Sequence, residues 1–290
     1  MADSPLRILF LAGSARCGST LAGRMLGELP GLVNAGELGL SLLFADAQAV
    51  TVPCGCGHPE AECPFWSAVA AGRPVRDFGL PWRTRNLLRL WRRMRRDAAL
   101  RMAMAEVLVP LYRNVAAQAG ADWVVDISKN PAIGLILSEL PGVELEVLHL
   151  VRDPRGVVAS WRRRKAYLPK IRPIKVIRWI WFASVLSEVL ARRAPLRWRF
   201  RYRDFIADPE AVLRQVAAGL HRPAPELAFL RPGAARFHTQ HILFSNPDKM
   251  DGGWIPLRVP EVNLDRPARW LTNLLTWPLL ALYGYFRPNR

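Results

Sequence analysis

Short apolar segments separated by helical patterns run through most of this chain. The first, Arg7 to Ala12, ends at Gly13, as a buried strand of a parallel sheet does. Three further segments are predicted as strands, namely Asp122 to Ile127, Glu144 to Val151 and Leu196 to Tyr202. The pattern therefore predicts at least four strands, spread over the first two thirds of the chain.

Between these strands, apolar residues recur at three- and four-residue spacing, which indicates helices. The clearest helix start is Asp208 followed by Pro209, an N-cap and a first-turn proline. The predicted helices are residues 20–26, 132–140, 155–164, 174–193, 209–220 and 270–283, with two more over the second half of 33–43 and over the arginine-rich stretch 82–119. The tail from Phe237 to the last helix is expected to be irregular.

Strands that alternate with helices predict a right-handed, mostly parallel α/β sheet. No internal repeat or linker is evident, so we expect one domain over residues 1–290, with helices flanking the sheet. The Gly36-Glu37 pair is expected to form a turn before its helix.

Composition excludes several classes of protein. With 290 residues, 51% hydrophobic and 22% charged, the chain is neither disordered nor a small disulfide scaffold. The longest uncharged apolar run, Trp270 to Phe286, contains Pro278 and falls short of the roughly 18 residues that span a bilayer. The apolar run at Ile8 to Ala12 is too short for a secretory signal, so we expect a cytoplasmic protein.

The net charge of +17 favours anionic partners, but it does not distinguish nucleic acid, a membrane surface and a small anion. The loop from Gly13 to Thr20 is more specific, because it follows a strand and opens a helix, where backbone N–H groups favour a phosphate-like anion. Ser19 stands where a nucleoside-triphosphatase loop has lysine. Arg16 supplies the positive charge instead, an arrangement suited to a phosphate-sulfate anhydride without bound Mg²⁺. A plain strand-to-helix turn is the alternative.

A second candidate anion site follows the third strand. Arg152 leaves the strand's carboxyl end, Pro154 opens a helix, and Ser160 lies two turns further along it. Arg152 and Ser160 could together hold another phosphate. The alternative is that Arg152 only pairs with Asp153 across the turn.

At these two segments the chain resembles the sulfotransferases that use 3′-phosphoadenosine 5′-phosphosulfate (PAPS). The family motif R-[SP]-G-[ST]-T corresponds to residues 16–20, with Cys17 as a departure, and R-D-P-R-x-x-x-x-S corresponds to residues 152–160 without a gap. Residues 202–209 are similar to its Y-E-D-L…D-P segment, and residues 245–249 to a degraded G-N-P-x-R loop that covers the cofactor. Cys63-Pro64-Phe65-Trp66 is similar to the C-P-F-W of bacterial members.

This resemblance implies a P-loop-like sulfotransferase fold and an enzyme that moves a sulfuryl group from PAPS to a hydroxyl or amine. The acceptor would be a small molecule, a lipid or a glycan, with no metal required and no nucleic acid involved. The residues implied to bind the 5′-phosphosulfate are Arg16, Cys17, Gly18, Ser19 and Thr20. Arg152 and Ser160 would bind the 3′-phosphate, and Tyr202 would approach the adenine.

Sulfuryl transfer places growing negative charge on the leaving phosphate, so fixed cations supply much of the catalysis. Arg16 is the first candidate for that role and Lys129, which leaves a strand's carboxyl end, the second; a solvated loop lysine is the alternative for Lys129. The acceptor also needs a general base. Glu37 matches the family's catalytic carboxylate, although a helix-start glutamate complementing the dipole is also compatible.

The five histidines include three other candidate bases. His149 is expected to be a core residue, because it lies between apolar residues of a strand, whereas His238 and His241 are expected at most to contact the acceptor. Cys54, Cys56, His58 and Cys63 are possible zinc ligands, but their spacing is not a standard zinc motif. We expect free cysteines or a local disulfide there. Cys17 is hypothesised to have a lowered pKa beside Arg16.

Two other functions remain open at this point. A P-loop-like small-molecule kinase would require Mg²⁺, and a basic nucleic-acid-binding protein would use the arginine-rich helix, although no nucleic-acid motif accompanies it. The apolar segment at 270–283 is expected to pack as core, with peripheral contact to the inner membrane face as the alternative.

Overall fold

A five-stranded sheet, parallel throughout, forms the centre of the protein. The computed structural model describes residues 4–43, 53–70, 84–163 and 171–286. The strands are β1 (Leu6–Ala12), β2 (Leu32–Gly36), β3 (Trp123–Lys129), β4 (Val143–Val151) and β5 (Arg197–Arg201). Their order is β2-β3-β1-β4-β5. β1 lies in the middle, and every residue from Ile8 to Ala12 is completely buried.

Helices surround this sheet in the described part of the chain. They are α1 (Ser19–Leu26), α2 (Leu38–Leu43), α3 (Pro64–Val69), α4 (Thr84–Met94), α5 (Ala98–Ala119), α6 (Pro131–Leu137), α7 (Pro154–Arg162), α8 (Pro173–Ala191), α9 (Tyr202–Ala207), α10 (Pro209–Gly219) and α11 (Arg266–Leu282). Asp208 caps α10 by accepting a hydrogen bond from the Ala211 N–H, as its position before Pro209 predicts.

Alternate residues of β1 enter the two apolar layers on either side of the sheet. Ile8 and Phe10 pack on one face with residues of α5 and α6, whereas Leu9 and Leu11 pack on the other with residues of α1 and α10. Burial on both faces explains the continuous apolar character of this strand. The single-domain α/β fold, with a mostly parallel sheet flanked by helices, is confirmed.

Three details of the main sheet and its helices differ from the sequence-based expectation. Residues 32–36 form the edge strand β2, where only a turn and a helix were predicted within 33–43. The arginine-rich stretch forms two helices, because Asp97 caps α5 by accepting from the Leu100 N–H; residues 82 and 83 of that prediction lie outside the described residues, as does Arg164. Tyr202, predicted as the end of a strand, is the first residue of α9.

The tail is more regular than predicted. β8 (Trp254–Pro256) pairs with β7 (Ala234–Arg236), which pairs with β6 (Leu230–Arg231), in a small antiparallel sheet. α11 packs against α7 and α8, so the end of the chain closes one side of the fold. Within the described ranges, each helix is either too short or too polar to span a bilayer.

Candidate functional site

The carboxyl ends of the parallel strands gather the sequence candidates at one edge of the sheet. β1 ends at Ala12 before the glycine loop, and β3 ends at Lys129. β4 ends directly before Arg152, and β2 directly before Glu37. Ligands of open α/β sheets bind at this edge, so candidates more than a hundred residues apart in sequence share one site.

Two glycines allow the loop at 13–18 to pack closely against its neighbours. A Cβ on Gly13 would lie 2.6 Å from the Leu150 carbonyl oxygen, and one on Gly18 would lie 2.2 Å from the Tyr202 ring. Gly18 also has a φ of 102°, a conformation that favours glycine. α1 begins at the next residue, and its first N–H groups lack partners within the helix, so this end of α1 can bind an anion.

Arg16 lies in this loop and connects it to two other segments. Its Nε donates to Ser160 Oγ at 3.2 Å, and its Nη1 donates to Asn246 Oδ1 at 2.5 Å. Among the described residues no carboxylate pairs with its guanidinium. The full positive charge of Arg16 therefore remains available to a ligand, while neutral groups fix its position.

Arg152 is held in a similar way. Its Nη1 donates to the Arg16 carbonyl at 2.9 Å, and its guanidinium carbon lies 5.0 Å from the centre of the Tyr202 ring. Burial lowers its pKa below the ordinary arginine value. The alternative that Arg152 pairs with Asp153 is wrong: Asp153 caps α7 and forms its ion pair with Arg155, at 2.7 Å.

A cavity of about 340 Å³ opens beside this second cation. Arg152, Gly156 and Tyr202 line one part of it, and Val259 and Pro260 another. Its lining thus combines guanidinium groups, one carboxylate and phenol rings with apolar surface, which suits a flat ring that carries a phosphate.

The segment from residue 244 to residue 251 crosses the loop at 13–18 and α1. Ser245 Oγ lies 2.8 Å from Thr20 Oγ1, and Asn246 Nδ2 donates to the same hydroxyl at 3.1 Å. Arg24 of α1 donates to two backbone carbonyls of this segment, at 3.0 and 2.7 Å. The structure therefore places the sequence similar to the family's covering loop against the anion loop.

Glu37 and Lys129 form an ion pair at the carboxyl ends of β2 and β3, between Glu37 Oε1 and Lys129 Nζ. Both side chains are almost buried. The Glu37 N–H donates to the Leu243 carbonyl at 2.9 Å, and a Cβ on Gly36 would lie 2.1 Å from that oxygen. Gly36 also has a φ of 75°, so both the close contact and the backbone conformation favour glycine at the position before Glu37.

Asp126, a buried carboxylate that the sequence analysis missed, holds the backbone segments that carry Glu37 and Lys129. Asp126 accepts hydrogen bonds from the Tyr112 hydroxyl, from the Ser128 N–H at 2.7 Å and from the Gly39 N–H at 2.9 Å. Burial raises its pKa. These contacts join the end of β3 to the start of α2, and so position the backbone that carries Lys129 and Glu37. The available signal was an aspartate inside an apolar strand, which requires partners when buried.

Cys17 differs from its expected role. Its side chain is completely buried in the core beneath the loop, so only its backbone can face a ligand. Burial raises the pKa of its thiol, and the hypothesis of a lowered pKa is wrong. The proximity of Arg16 in sequence does not outweigh the loss of solvation.

The three histidines considered as candidate bases lie in different environments. His149 is a buried core residue, as expected, with Nδ1 3.2 Å from Glu188 Oε1 and a pKa that burial lowers. His238 is exposed and pairs with Glu28 at 2.6 Å. His241 lies beside the cysteine loop.

All four cysteines are free. Of the two expected states, free cysteines and a local disulfide, the structure shows the first. The sulfurs of Cys54, Cys56 and Cys63 converge with the His241 ring, whose Nδ1 lies 3.3 Å from Cys63 Sγ. His58, the histidine that the spacing suggested, contacts only the Cys56 sulfur among these groups, at 3.6 Å. Sequence spacing could not find His241, because it lies 178 residues beyond Cys63.

Comparison with known proteins identifies a family and a structure of similar fold. The model of the Sulfotransferase family matches residues 9–226. The sulfotransferase domain from the curacin biosynthetic pathway is similar in structure, with a TM-score of 0.56 and 17% identity over 96% of this chain and 98% of that one. Sulfotransferase STF9 from Mycobacterium avium aligns at a TM-score of 0.48 and 15% identity over 97% of this chain and 77% of that one. No curated protein matches the sequence.

Proposed function

The chain belongs to the sulfotransferase family, and we propose that it transfers the sulfuryl group of PAPS to a hydroxyl or amine of a small-molecule, lipid or glycan acceptor. Family membership makes it a sulfuryl-transferring enzyme. The identity of the donor and the roles of individual residues are the subject of the proposal.

The observation that carries the proposal is a pair of guanidiniums, Arg16 and Arg152, that meet at the loop before α1 and have no carboxylate partner among the described residues. An arginine enclosed in this way loses solvation, and an anionic ligand would restore the interaction. Two cationic positions, one in the anion loop and one beside the cavity, correspond to the two phosphate-bearing ends of PAPS. A donor with a single phosphate group would use only one of them.

The 5′-phosphosulfate is assigned to the loop of Arg16 and to the start of α1, where Ser19 and Thr20 provide hydroxyls. The 3′-phosphate is assigned to Arg152 and Ser160, with the adenine in the cavity beside Tyr202. Cys17 contributes its backbone alone. As the sulfuryl group leaves, charge grows on the 5′-phosphate, and Arg16 and the N–H groups of α1 stabilise it without reorganisation.

Glu37 is assigned as the general base, accepting the proton of the acceptor hydroxyl as its oxygen attacks sulfur. The ion pair with Lys129 orients the carboxylate, and the same ammonium can stabilise the transferring sulfuryl oxygens. Attack opposite the leaving phosphate requires the two groups to flank the sulfur. The placement of Glu37 and Arg16 on different loops of the same sheet edge allows this arrangement.

Peripheral membrane contact is part of the proposal, because α11 carries an apolar stripe. Trp270, Leu274 and Trp277 recur at helical spacing and are each more than half exposed, while Leu279 and Leu280 on another face are buried. Exposed Arg266 and Arg269 begin the same helix; Arg287 lies outside the described residues. This arrangement supports a lipid acceptor or a membrane-bound one.

A nucleotide titration tests the donor. Adenosine 3′,5′-bisphosphate is expected to bind and to raise the melting temperature equally with and without added Mg²⁺, and ATP is expected to do so weakly. Incubation with isotopically labelled PAPS and cell extract should then transfer the labelled SO₃ unit to an acceptor found by mass spectrometry. Metal-dependent binding of ATP, with no response to the bisphosphate, would contradict the proposal and favour a kinase.

A further inference from the structure

Three cysteine sulfurs and one imidazole nitrogen converge where the loop 54–63 meets the segment 240–242. The four atoms all lie within 4.8 Å of one another. Cys63 Sγ lies 3.6 Å from the sulfurs of both Cys54 and Cys56, and His241 Nδ1 lies 3.3 Å from Cys63 Sγ and 3.8 Å from Cys54 Sγ. Tetrahedral zinc with Zn–S near 2.3 Å and Zn–N near 2.0–2.1 Å separates its ligand atoms by about 3.5–3.8 Å. These four distances therefore lie within about 0.3 Å of the spacing of a zinc site.

The loop backbone is shaped to hold the first two sulfurs together. The Cys54 N–H donates to the His58 carbonyl, and the Gly57 N–H donates to the Cys54 carbonyl, each at 2.8 Å, in a tight turn that gives Gly57 a φ of 90°.

The histidine is oriented by its own neighbours. Its ring stacks on Phe65, with ring centres 4.8 Å apart and planes within 3°. Trp66 Nε1 donates to the His241 carbonyl at 3.0 Å. The residues after Cys63 therefore position the fourth ligand as well as the third, although it comes from the other end of the chain.

We propose that Cys54, Cys56, Cys63 and His241 bind one zinc ion that stabilises the structure. Three thiolates and one imidazole form a closed set of four ligands, which is typical of structural rather than catalytic zinc. Binding exchanges the three thiol protons for the ion, which leaves the site with a net charge of −1. A disulfide would use two of the sulfurs and leave the third sulfur and the oriented imidazole without a role.

The position of the site gives the ion a specific task. His241 is followed by Leu243, which pairs with Gly36 and accepts the Glu37 N–H, and then by Asn246, which contacts Arg16. Zinc would attach this segment to loop 54–63. The ion would thus anchor the backbone that covers the donor site, without contacting the reacting atoms.

The experiment measures metal in the full-length protein, purified without a polyhistidine tag from cells supplied with zinc. Elemental analysis is expected to find about one zinc ion per chain. X-ray absorption at the zinc edge should show three sulfur neighbours near 2.3 Å and one nitrogen near 2.0–2.1 Å. Cobalt exchanged into the protein should give the absorption bands of a tetrahedral thiolate site.

Two ligand variants and one matched control distinguish the set. His241→Ala and Cys56→Ser should each bind zinc at least about tenfold more weakly, because each removes one of four ligands. Both variants should also melt at a lower temperature. His58→Ala should keep its zinc, because His58 lies in the same loop but outside the ligand set. Should a ligand variant fail to fold, the metal content and absorption spectrum of the unmodified protein decide alone.

Folded protein that contains no zinc and binds none when zinc is added would overturn the proposal. A disulfide among these cysteines, a zinc spectrum without sulfur, or equal loss of zinc in the His58 and His241 variants would also overturn it. None of these results would affect the proposed sulfuryl transfer, which the nucleotide titration tests separately.

Discussion

Arg152 is fixed by a backbone carbonyl and an aromatic ring, and a ligand phosphate would be its first full negative charge in the described structure. For Arg152→Ala we expect affinity for adenosine 3′,5′-bisphosphate to fall about 10- to 150-fold, since a charge-assisted contact contributes about 1.5–3 kcal/mol. Affinity for AMP, which lacks the 3′-phosphate, should change little. Isothermal titration of both nucleotides measures this difference.

Arg162→Ala provides the control for that experiment. Arg162 lies on the same helix, but its side chain is exposed and pairs with Asp265 at 2.7 Å. Its loss should leave both affinities unchanged. An equal fall for the two nucleotides in the Arg152 variant would remove Arg152 from the 3′-phosphate site.

Glu37 can be tested by a nearly isosteric change. Glu37→Gln should lower kcat about 10²- to 10⁴-fold, the usual contribution of a general base, with donor affinity almost unchanged. Steady-state kinetics and a bisphosphate titration together separate the two effects. Glu144→Gln, which removes a half-exposed carboxylate paired with Arg7, should retain full activity. Retained turnover in the Glu37 variant would assign the base elsewhere.

The residues that the sequence indicated lie in short contiguous motifs, where spacing and residue type carry the chemistry together. Arg16 and Arg152 were accessible in this way. The contact of His241 with the cysteines and that of Tyr112 with Asp126 were not, because each joins residues that are distant in the chain or lie on different elements. In the sequence, Tyr112 fits the apolar face of α5 like its neighbours. Only the fold shows that its hydroxyl contacts Asp126.

At the scale of elements, the strands β1, β3, β4 and β5 were predictable and the edge strand β2 was not. β2 contains Asn34 and Gly36 in five residues, and Asn34 accepts a hydrogen bond from the Gly36 N–H instead of following a simple strand pattern. The break between α4 and α5 was missed because the apolar periodicity continues on both sides of it. Only Asp97, an N-cap residue inside an arginine-rich stretch, marks the position.

The hydrogen bond from Tyr112 of α5 to Asp126 of β3 leads to a prediction about stability at alkaline pH. Burial raises the pKa of Tyr112 well above its ordinary value, so above pH 10 the unfolded chain loses this proton while the folded protein keeps it. The free energy of unfolding should therefore fall as pH rises past 10. Tyr112→Phe should reduce that slope by up to one proton, about 1.4 kcal/mol per pH unit.

The same variant should be less stable at neutral pH, by about 1–3 kcal/mol, because Asp126 loses a donor while it stays buried. Urea unfolding at pH 7, 9 and 11 measures both effects. A slope equal to that of the unmodified protein would show that Tyr112 titrates normally.

At the scale of the whole molecule, the net charge of +17 and the exposed stripe of α11 act together. We expect the protein to cosediment with vesicles that contain anionic lipid at low salt, and less so at high salt or with neutral lipid. Replacing Trp270 and Trp277 together by Gln should weaken this binding.

Met102→Gln, which removes an exposed apolar residue from α5, should leave vesicle binding unchanged. If the unmodified protein stays in the supernatant with anionic vesicles at low salt, the stripe does not bind lipid. The acceptor would then be sought among water-soluble molecules.

The segment from Gln240 to Lys249 touches the cysteine cluster, the backbone of Glu37 and the anion loop in turn. Sites that share one such segment are thermodynamically linked, and linkage is reciprocal. If zinc raises the affinity for the donor by some factor, the donor must raise the affinity for zinc by the same factor. Chelators should therefore remove the metal more completely from the nucleotide-free enzyme than from the enzyme saturated with nucleotide. Turnover itself would then protect the fold from metal loss.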